Sequence, residues 1–311
     1  MRAFIFPGQG SQAVGMGSAL AEASETARAL FQEVDEALGQ NLARLMAQGP
    51  EDELILTENA QPAIMANAVA TLRVLEQEGS LTLDGKADFV AGHSLGEYSA
   101  LCATGAFDVA TTARLLKLRG RSMQAAVPVG QGAMAALIGL DLEAAHAVAA
   151  EAAQGEVCTA ANDNAPGQVV VSGHRAAIER ALEIAKAHGA RRALLLPVSA
   201  PFHCALMEPA ARAMEQALAD AAMQPPAVPL YANVTAAPVD QPAEIRRLLV
   251  EQVTGMVRWR ESVAAMAEAG VTHFVEFGGK VLGPMVKRIA PDAKVTSVVT
   301  IDDIEALAKG L

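Results

Sequence analysis

Residues 90–100 read VAGHSLGEYSA. Gly92-His93-Ser94-Leu95-Gly96 fits G-x-S-x-G, the pattern of a nucleophile elbow, in which a strained strand-to-helix turn lifts a serine hydroxyl off the backbone. The flanking glycines let strand and helix approach closely where a Cβ would clash. The context is the one the motif requires: the apolar stretch DFVAG (88–92) precedes it and the helix-compatible LGEYSALCA (95–103) follows. Ser94 is therefore read as a nucleophile on an α/β scaffold, and the rest of the chain must supply a base, an oxyanion site and a substrate.

Outward from the elbow, short apolar runs alternate with alanine-rich helical stretches. Strands are expected at Ala3–Phe6, Phe89–Ala91, Leu230–Ala232, His273–Phe277 and Val295–Val298, with helices such as QPAIMANAVATLRVLEQEG (61–79) and PAARAMEQALADAAM (209–223) between them. That alternation implies a mostly parallel sheet covered on both faces. One segment keeps its own rhythm. Strand AMAALIGL, helix DLEAAHAVAAEAA, strand EVCTAAN, turn DNAPG, strand QVVVSG, helix HRAAIERALEIAKAHG and strand RRALLLPV run from 133 to 198. The order β-α-β-β-α-β is ferredoxin-like. Residues 128–197 are thus expected to form a small inserted subdomain, and 1–127 with 198–311 the larger α/β domain. The cleft between them is the default ligand site.

Composition narrows the function. The 311 residues are 52% hydrophobic and 4% aromatic, so the core is expected to be aliphatic, in one large domain or two coupled ones. A net charge of −11 leaves no excess of cations to neutralise phosphates, which argues against nucleic acid or an anionic membrane as partner. Three cysteines, Cys102, Cys158 and Cys204, lack C-x-x-C spacing; they suit a reducing compartment and offer no metal site. The N-terminus MRAFIFPGQG enters a strand directly, without a signal-peptide pattern, and no apolar run of ~18 residues reads as a membrane span. A cytoplasmic location is expected.

A serine hydroxyl needs a base within hydrogen-bond reach. Of six histidines, His93 adjoins the nucleophile and should point away from it in a packing or hydrogen-bonding role. His146 and His188 read as surface residues, His174 as a helix N-cap, and His273 as half-buried structure in a strand. His203 differs, because it follows LLLPVSAPF, where a strand ends, and precedes CALMEPAARAM, where a helix begins. A histidine on such a turn is well placed to face a cleft. The acid of a Ser-His-Asp triad is missing: Asp108 and Asp141 read as N-caps and Asp163 as a turn residue. Something neutral, such as a backbone carbonyl, is left to hold the imidazole.

FPGQGSQ (6–12), GHSLGEYSAL (92–101), LRGRSMQ (118–124), NAPGQVVVSG (164–173), PFHCALM (201–207) and LVEQVTGMVRW (249–259) together resemble the successive motifs of the malonyl-CoA:acyl-carrier-protein transacylases of bacterial type II fatty acid synthesis. The resemblance runs from about residue 4 to about residue 290 and implies a hydrolase-like α/β domain with an inserted ferredoxin-like subdomain. It implies Ser94 as the malonyl-carrying nucleophile, His203 as base and then acid, and Gln252 as the residue whose backbone carbonyl orients that histidine. The amides of Gln9 and Leu95 correspond to the oxyanion hole, and Arg119 to the clamp on the free carboxylate of malonate. Phe202 corresponds to a bulky position that crowds an α-methyl group. The implied partners are malonyl-CoA and holo acyl carrier protein, with no cofactor on the chain itself.

Elementary chemistry supports several of these roles. An elbow supplies one oxyanion donor from the residue after its nucleophile, and a glycine-rich turn such as PGQGSQ is able to aim a second. A planar guanidinium binds a carboxylate through two parallel hydrogen bonds. Composition alone leaves Arg119 level with Arg114 and Arg121. Two features depart from the family pattern. EFGGKVL (276–282) is one residue shorter and lacks a proline, which puts the local loop in question; and Cys204, read as a packed side chain, stands where small residues such as serine are common. A serine thioesterase or acyl hydrolase is the alternative. The late position of histidine in α/β-hydrolases and the lack of an acid before His203 count against it. Two basic clusters, Lys186/Arg191/Arg192 and Lys280/Lys287/Arg288, are candidate docking points for an acidic carrier protein.

Overall fold

A computed structural model of the chain describes residues 1–311. Ten strands occur in the order β1 (Arg2–Phe6), β2 (Phe89–Gly92), β3 (Gly132–Ile138), β4 (Cys158–Ala165), β5 (Gln168–His174), β6 (Arg192–Leu195), β7 (Leu230–Ala232), β8 (Ala237–Val239), β9 (His273–Phe277) and β10 (Lys294–Val298). They make two sheets, a six-stranded one ordered β10-β9-β1-β2-β7-β8 and a four-stranded one ordered β4-β5-β3-β6.

The large sheet is parallel from β10 through β7, and only β8 runs antiparallel, against β7. Its central strand β1 is apolar on both faces because both are covered. Phe4 and Phe6 point into a core shared with the helices Thr57–Gly79, Gly96–Ala103 and Val109–Ala126. Ala3 and Ile5 point the other way, onto Trp259, Val263 and Val286 of the helices Trp259–Glu268 and Leu282–Ile289. The period of two along a strand accounts for that division.

The order reverses beside β1: the chain passes to β2 on one side and returns as β9 on the other. In open α/β sheets the crevice beyond the carboxyl ends of such strands is where ligands bind. The loops there are Pro7–Gln12 after β1, the elbow after β2 and Gly278–Val281 after β9. The last is the short GGK loop. It closes because the buried Glu276 carboxylate accepts the amides of Val281, Leu282 and Gly283 at 2.8, 2.9 and 2.9 Å, capping the helix Leu282–Ile289. Gly278 has φ +75°, and a Cβ there would lie 2.7 Å from Ala68 Cα.

In the small sheet every pairing is antiparallel. The helices Leu142–Ala153 and Arg175–Ala187 bury Val148 and Ile178 against Ala135, Leu137 and Val171 on one face. Met134 and Val170 face the other way and join the core of the large sheet. The β-α-β-β-α-β order matches the sequence pattern.

Three local expectations change. DNAPG is not all turn: β4 runs on to Ala165 through two register shifts, and buried Asp163 pairs with Arg260 at 2.7 Å. Backbone pairing of Val257 with Ala161 and Asp163, 2.9 Å each, holds this strand to the segment before Trp259. The central alanine-rich helix starts at Thr57 rather than Gln61, with Thr57 Oγ1 accepting from Gln61 Nε2 at 3.0 Å. β8 was absent from the expected strands, being three residues long with a proline, which suits only an edge. No helix is long and apolar enough to cross a membrane.

Candidate active site

The elbow forms because nothing larger than glycine fits beside Ser94. A Cβ on Gly92 would lie 1.9 Å from the Gly96 carbonyl carbon, and one on Gly96 2.3 Å from Phe6 O. Ser94 itself takes φ +54°, a left-handed conformation costing on the order of 1–3 kcal/mol that persists only where surroundings hold it. They do so from both sides. Asn233 Oδ1 accepts the Ser94 amide at 2.8 Å, and Gln252 Nε2 donates to the Ser94 carbonyl at 2.9 Å.

His203 is buried, also left-handed at φ +58°, with Nε2 2.8 Å from Ser94 Oγ. Its Nδ1 faces the carbonyls of Gln252 at 2.9 Å and Gly255 at 3.1 Å. Carbonyls only accept, so Nδ1 carries the proton and Nε2 presents its lone pair to the serine hydroxyl. Gln252 lies in the last turn of the helix Pro242–Thr254, where carbonyls lack intrahelical partners and the helix end is negative. That helix end stands where a triad would have an acid. Burial, followed by the Arg119 cation, pushes the imidazole down to about 3, so it is neutral at physiological pH.

Arg119 reaches the same point from the helix Val109–Ala126. It is 1% exposed, and its Nη2 donates to Ser94 Oγ at 3.1 Å and Gln252 Oε1 at 2.7 Å, while Nη1 donates to Gln61 Oε1 at 2.8 Å. Its guanidinium lies 5.7 Å from the Tyr98 ring centre, and Nε has no partner. The rivals point elsewhere: Arg114 is exposed, and Arg121 pairs with Glu58 at the surface.

These groups open into a cavity of about 340 Å³ between the two sheets. Gln9, Ser94, Leu95, Arg119, Phe202 and His203 line one side; Met134, Asn162, Asn164, Val170 and Leu196 line the other. The amides of Gln9 and Leu95 donate to no protein acceptor. Leu95 precedes the helix Gly96–Ala103, so its N–H belongs to the positive end of that helix.

Four of the other five histidines hold structural contacts. His93 bonds Asn164 Oδ1 at 2.8 Å across the cleft and packs near Trp259, with burial lowering its pKa. His174 stands at the N-cap position, yet its Nδ1 accepts the Val157 amide rather than capping the helix. His146 is exposed, His188 meets Glu151, and His273 bonds Thr296. Asp108 and Asp141 are N-caps as expected. Cys204 is buried and donates to Pro201 O.

Sequence reasoning missed Glu97, Asn233 and Gln61. Glu97 is a carboxylate in the first turn of the helix that leaves the elbow, and an acid that close to the nucleophile was a usable signal. Asn233 follows β7 at the carboxyl end of the sheet, but no motif marks it.

A poised hydroxyl, a neutral base, two free amides and a buried cation make a site for transferring an acyl group that bears a negative charge. The comparisons agree. The sequence profile of the acyl transferase domain matches residues 3–279. The malonyl CoA-acyl carrier protein transacylase of Escherichia coli K12 is 48% identical over 92% of either chain. The crystal structure of acyl-carrier-protein-S-malonyltransferase from Bartonella henselae superposes with a TM-score of 0.97 at 52% identity, covering 99% of this chain and 98% of that one. A solved complex of a type II PKS acyl-carrier protein with its malonyl-transacylase gives 0.96 at 41% identity, over 100% and 99%. On sequence and on backbone alike, this chain belongs to the acyl transferase family, among the malonyl CoA-acyl carrier protein transacylases.

Proposed function

We propose that this chain moves a malonyl group from malonyl-CoA to the phosphopantetheine thiol of holo acyl carrier protein, through an ester on Ser94. The observation that carries the reading is the convergence of His203 Nε2 and Arg119 Nη2 on one serine oxygen, at 2.8 and 3.1 Å.

Ser94 Oγ attacks the thioester carbonyl as its proton passes to His203 Nε2. The tetrahedral oxyanion is met by the amides of Gln9 and Leu95, each such donor being worth ~2.7–4 kcal/mol. The C–S bond breaks, and the CoA sulfur leaves with the proton from His203. The carrier's thiol then gives its proton to His203 and attacks the ester carbonyl; the C–O bond to Ser94 breaks, and His203 returns the proton to Ser94 Oγ. The Gln252 carbonyl keeps the imidazole in one tautomer throughout. No cofactor is needed on this chain, since both thiols arrive with the substrates.

Arg119 clamps the free carboxylate. A buried guanidinium held by neutral Gln61 and Gln252 lacks a counter-ion in direct contact, and a dicarboxylic acyl group provides one. The same cation disfavours plain alkyl chains, which weighs against hydrolytic editing. Phe202 narrows the cavity beside His203 and sets a finite preference for malonyl over methylmalonyl, since one methyl is worth ~1–3 kcal/mol. Comparable kcat/KM for the two CoA esters would remove Phe202 from this role.

We further assign residues 128–197 as an inserted subdomain that closes one side of the site, and the cytoplasm as the working compartment. Three free, buried cysteines support the latter. Intact mass after malonyl-CoA treatment tests the whole reading. The protein gains one malonyl group, and holo carrier protein removes it; water alone does so far more slowly. Failure to form the adduct would refute it.

A further inference from the structure

The helix after the elbow carries a carboxylate that the transfer chemistry above does not use. Glu97 is 2% exposed and makes no direct ion pair. One of its oxygens accepts the Asn233 backbone amide at 3.0 Å, and the other accepts from Gln252 Nε2. Those two partners hold the rest of the site. Asn233 binds the Ser94 amide at 2.8 Å and Gly92 O at 2.7 Å. Gln252 binds Ser94 O and Arg119 through its side chain and His203 through its backbone carbonyl.

The chemistry of the contact is directional. A carboxylate has no hydrogen to donate, so it accepts only the NH₂ end of the Gln252 amide. The second hydrogen of that NH₂ goes to Ser94 O, which leaves Oε1 facing the Arg119 guanidinium. Turning the amide over would set NH₂ against a cation and carbonyl oxygen against carbonyl oxygen. A residue at 97 able to donate, whether a neutral acid or an amide, removes the carboxylate's share of that penalty and loosens the orientation.

We propose that Glu97 is a positioning residue of the transferase: as a buried, acceptor-only group it joins the Ser94 carbonyl and Arg119 in fixing which way the Gln252 amide faces, and so helps to set Arg119, Ser94 and His203 together. This rests on the malonyl-transfer reading and deepens it.

The groups facing Glu97 make it the site's titrating member. Arg119 faces it from the helix Val109–Ala126, Tyr98 adjoins it on its own helix, and His203 lies beyond Gln252. Burial raises the Glu97 carboxyl to about 7, with Gln252, Asn233 and Arg119 pulling the other way. Tyr98 is raised to about 12 and His203 lowered to about 3, so neither changes charge near neutrality.

The test is the rate of Ser94 malonylation by malonyl-CoA, read by quenched intact mass from pH 5.5 to 9, in the wild type and in Glu97→Gln. The wild-type rate is expected to rise through an acid limb near pH 7. Glu97→Gln is expected to be flat across that range and lower at the plateau, on the order of 10- to 100-fold, the scale of a small misplacement of reacting groups. It should also lose more on malonyl-CoA than on acetyl-CoA, because only the malonyl ester has a free carboxylate to pair with Arg119. A limb unchanged in Glu97→Gln, with an unchanged malonyl-to-acetyl ratio, would overturn the proposal, since any titration of CoA phosphate persists in both proteins. If Glu97→Gln does not fold, Glu97→Asp, which keeps the carboxylate but draws it back from Gln252, takes its place: it is expected to lose more on malonyl-CoA than on acetyl-CoA, and an unchanged malonyl-to-acetyl ratio overturns the proposal. A wild type that forms no adduct at any pH refutes the transfer reading instead.

Discussion

Ser94 and His203 meet at 2.8 Å with both backbones in the left-handed region, φ +54° and +58°, although neither is glycine. Each strained turn is tied down from outside itself. Asn233 and Gln252 grip Ser94, and the Gln252 and Gly255 carbonyls grip the His203 ring. Strain of this kind survives where several hydrogen bonds over-determine it.

Replacing Ser94 with alanine should abolish the malonyl adduct and leave the fold intact. Alanine keeps the same φ strain, and the backbone ties to Asn233 and Gln252 do not involve the hydroxyl. Intact mass and a melting curve check both halves. A malonyl adduct on Ser94→Ala would move the nucleophile elsewhere.

Arg119→Ala should cost malonyl transfer far more than acetyl transfer. Hydrogen bonds to charged groups contribute ~1.5–3 kcal/mol each, so losing a bidentate pair predicts a fall in malonyl kcat/KM of about 100-fold or more. Part of any common loss reflects Gln61 and Gln252, left with unsatisfied oxygens. Equal loss on both esters would mean that Arg119 only supports the site.

Acidification should destabilise the protein through His203. Its folded value, about 3, lies below the ordinary 6.5, so the unfolded chain binds the extra proton in that window. Stability from this group is complete above pH 6.5 and is lost as pH falls toward 3. Glu97 acts with the opposite sign between 4.5 and about 7, which makes a difference measurement necessary. Asparagine tolerates the left-handed backbone. The melting temperature of wild type relative to His203→Asn should therefore drop as pH falls from 6.5 to 4.5. Parallel curves would show that His203 does not titrate on unfolding in this way.

Carrier-protein docking should depend on Arg191, Arg192 and Lys280. The basic clusters divide by their partners. Lys186 pairs with Glu183, Lys287 is tied to the Pro291 and Ala293 carbonyls, and Arg288 to Pro166 O. Arg191, Arg192 and Lys280 are exposed and have no acidic partner within ion-pair distance. Lys280 adjoins Val281, which lines the cavity. Reversing these three charges should raise the KM for the acidic carrier, most at low salt, with malonylation by CoA nearly unchanged. An unaltered carrier KM at low ionic strength would exclude them.

The sequence by itself determined most of the elements, the β-α-β-β-α-β succession of the small sheet and the elbow at Ser94. Periodicity and the glycines around Ser94 act within a few residues of chain, so they are visible without coordinates. Asp163 shows the limit of that range: DNAPG has the residues of a turn, yet pairing with Val257 and Arg260, some 95 residues on, holds it in a strand. Composition left Arg114, Arg119 and Arg121 level for the same reason, since only packing decides which of three arginines on one helix faces inward. Only the tertiary structure decided that a helix end stands in for the triad acid and that Glu97 joins Asn233 to Gln252. Those contacts join residues 49 to 155 apart in sequence. Their orientation follows from excluding water around buried polar groups, which must then find one another, and no local pattern records which ones will.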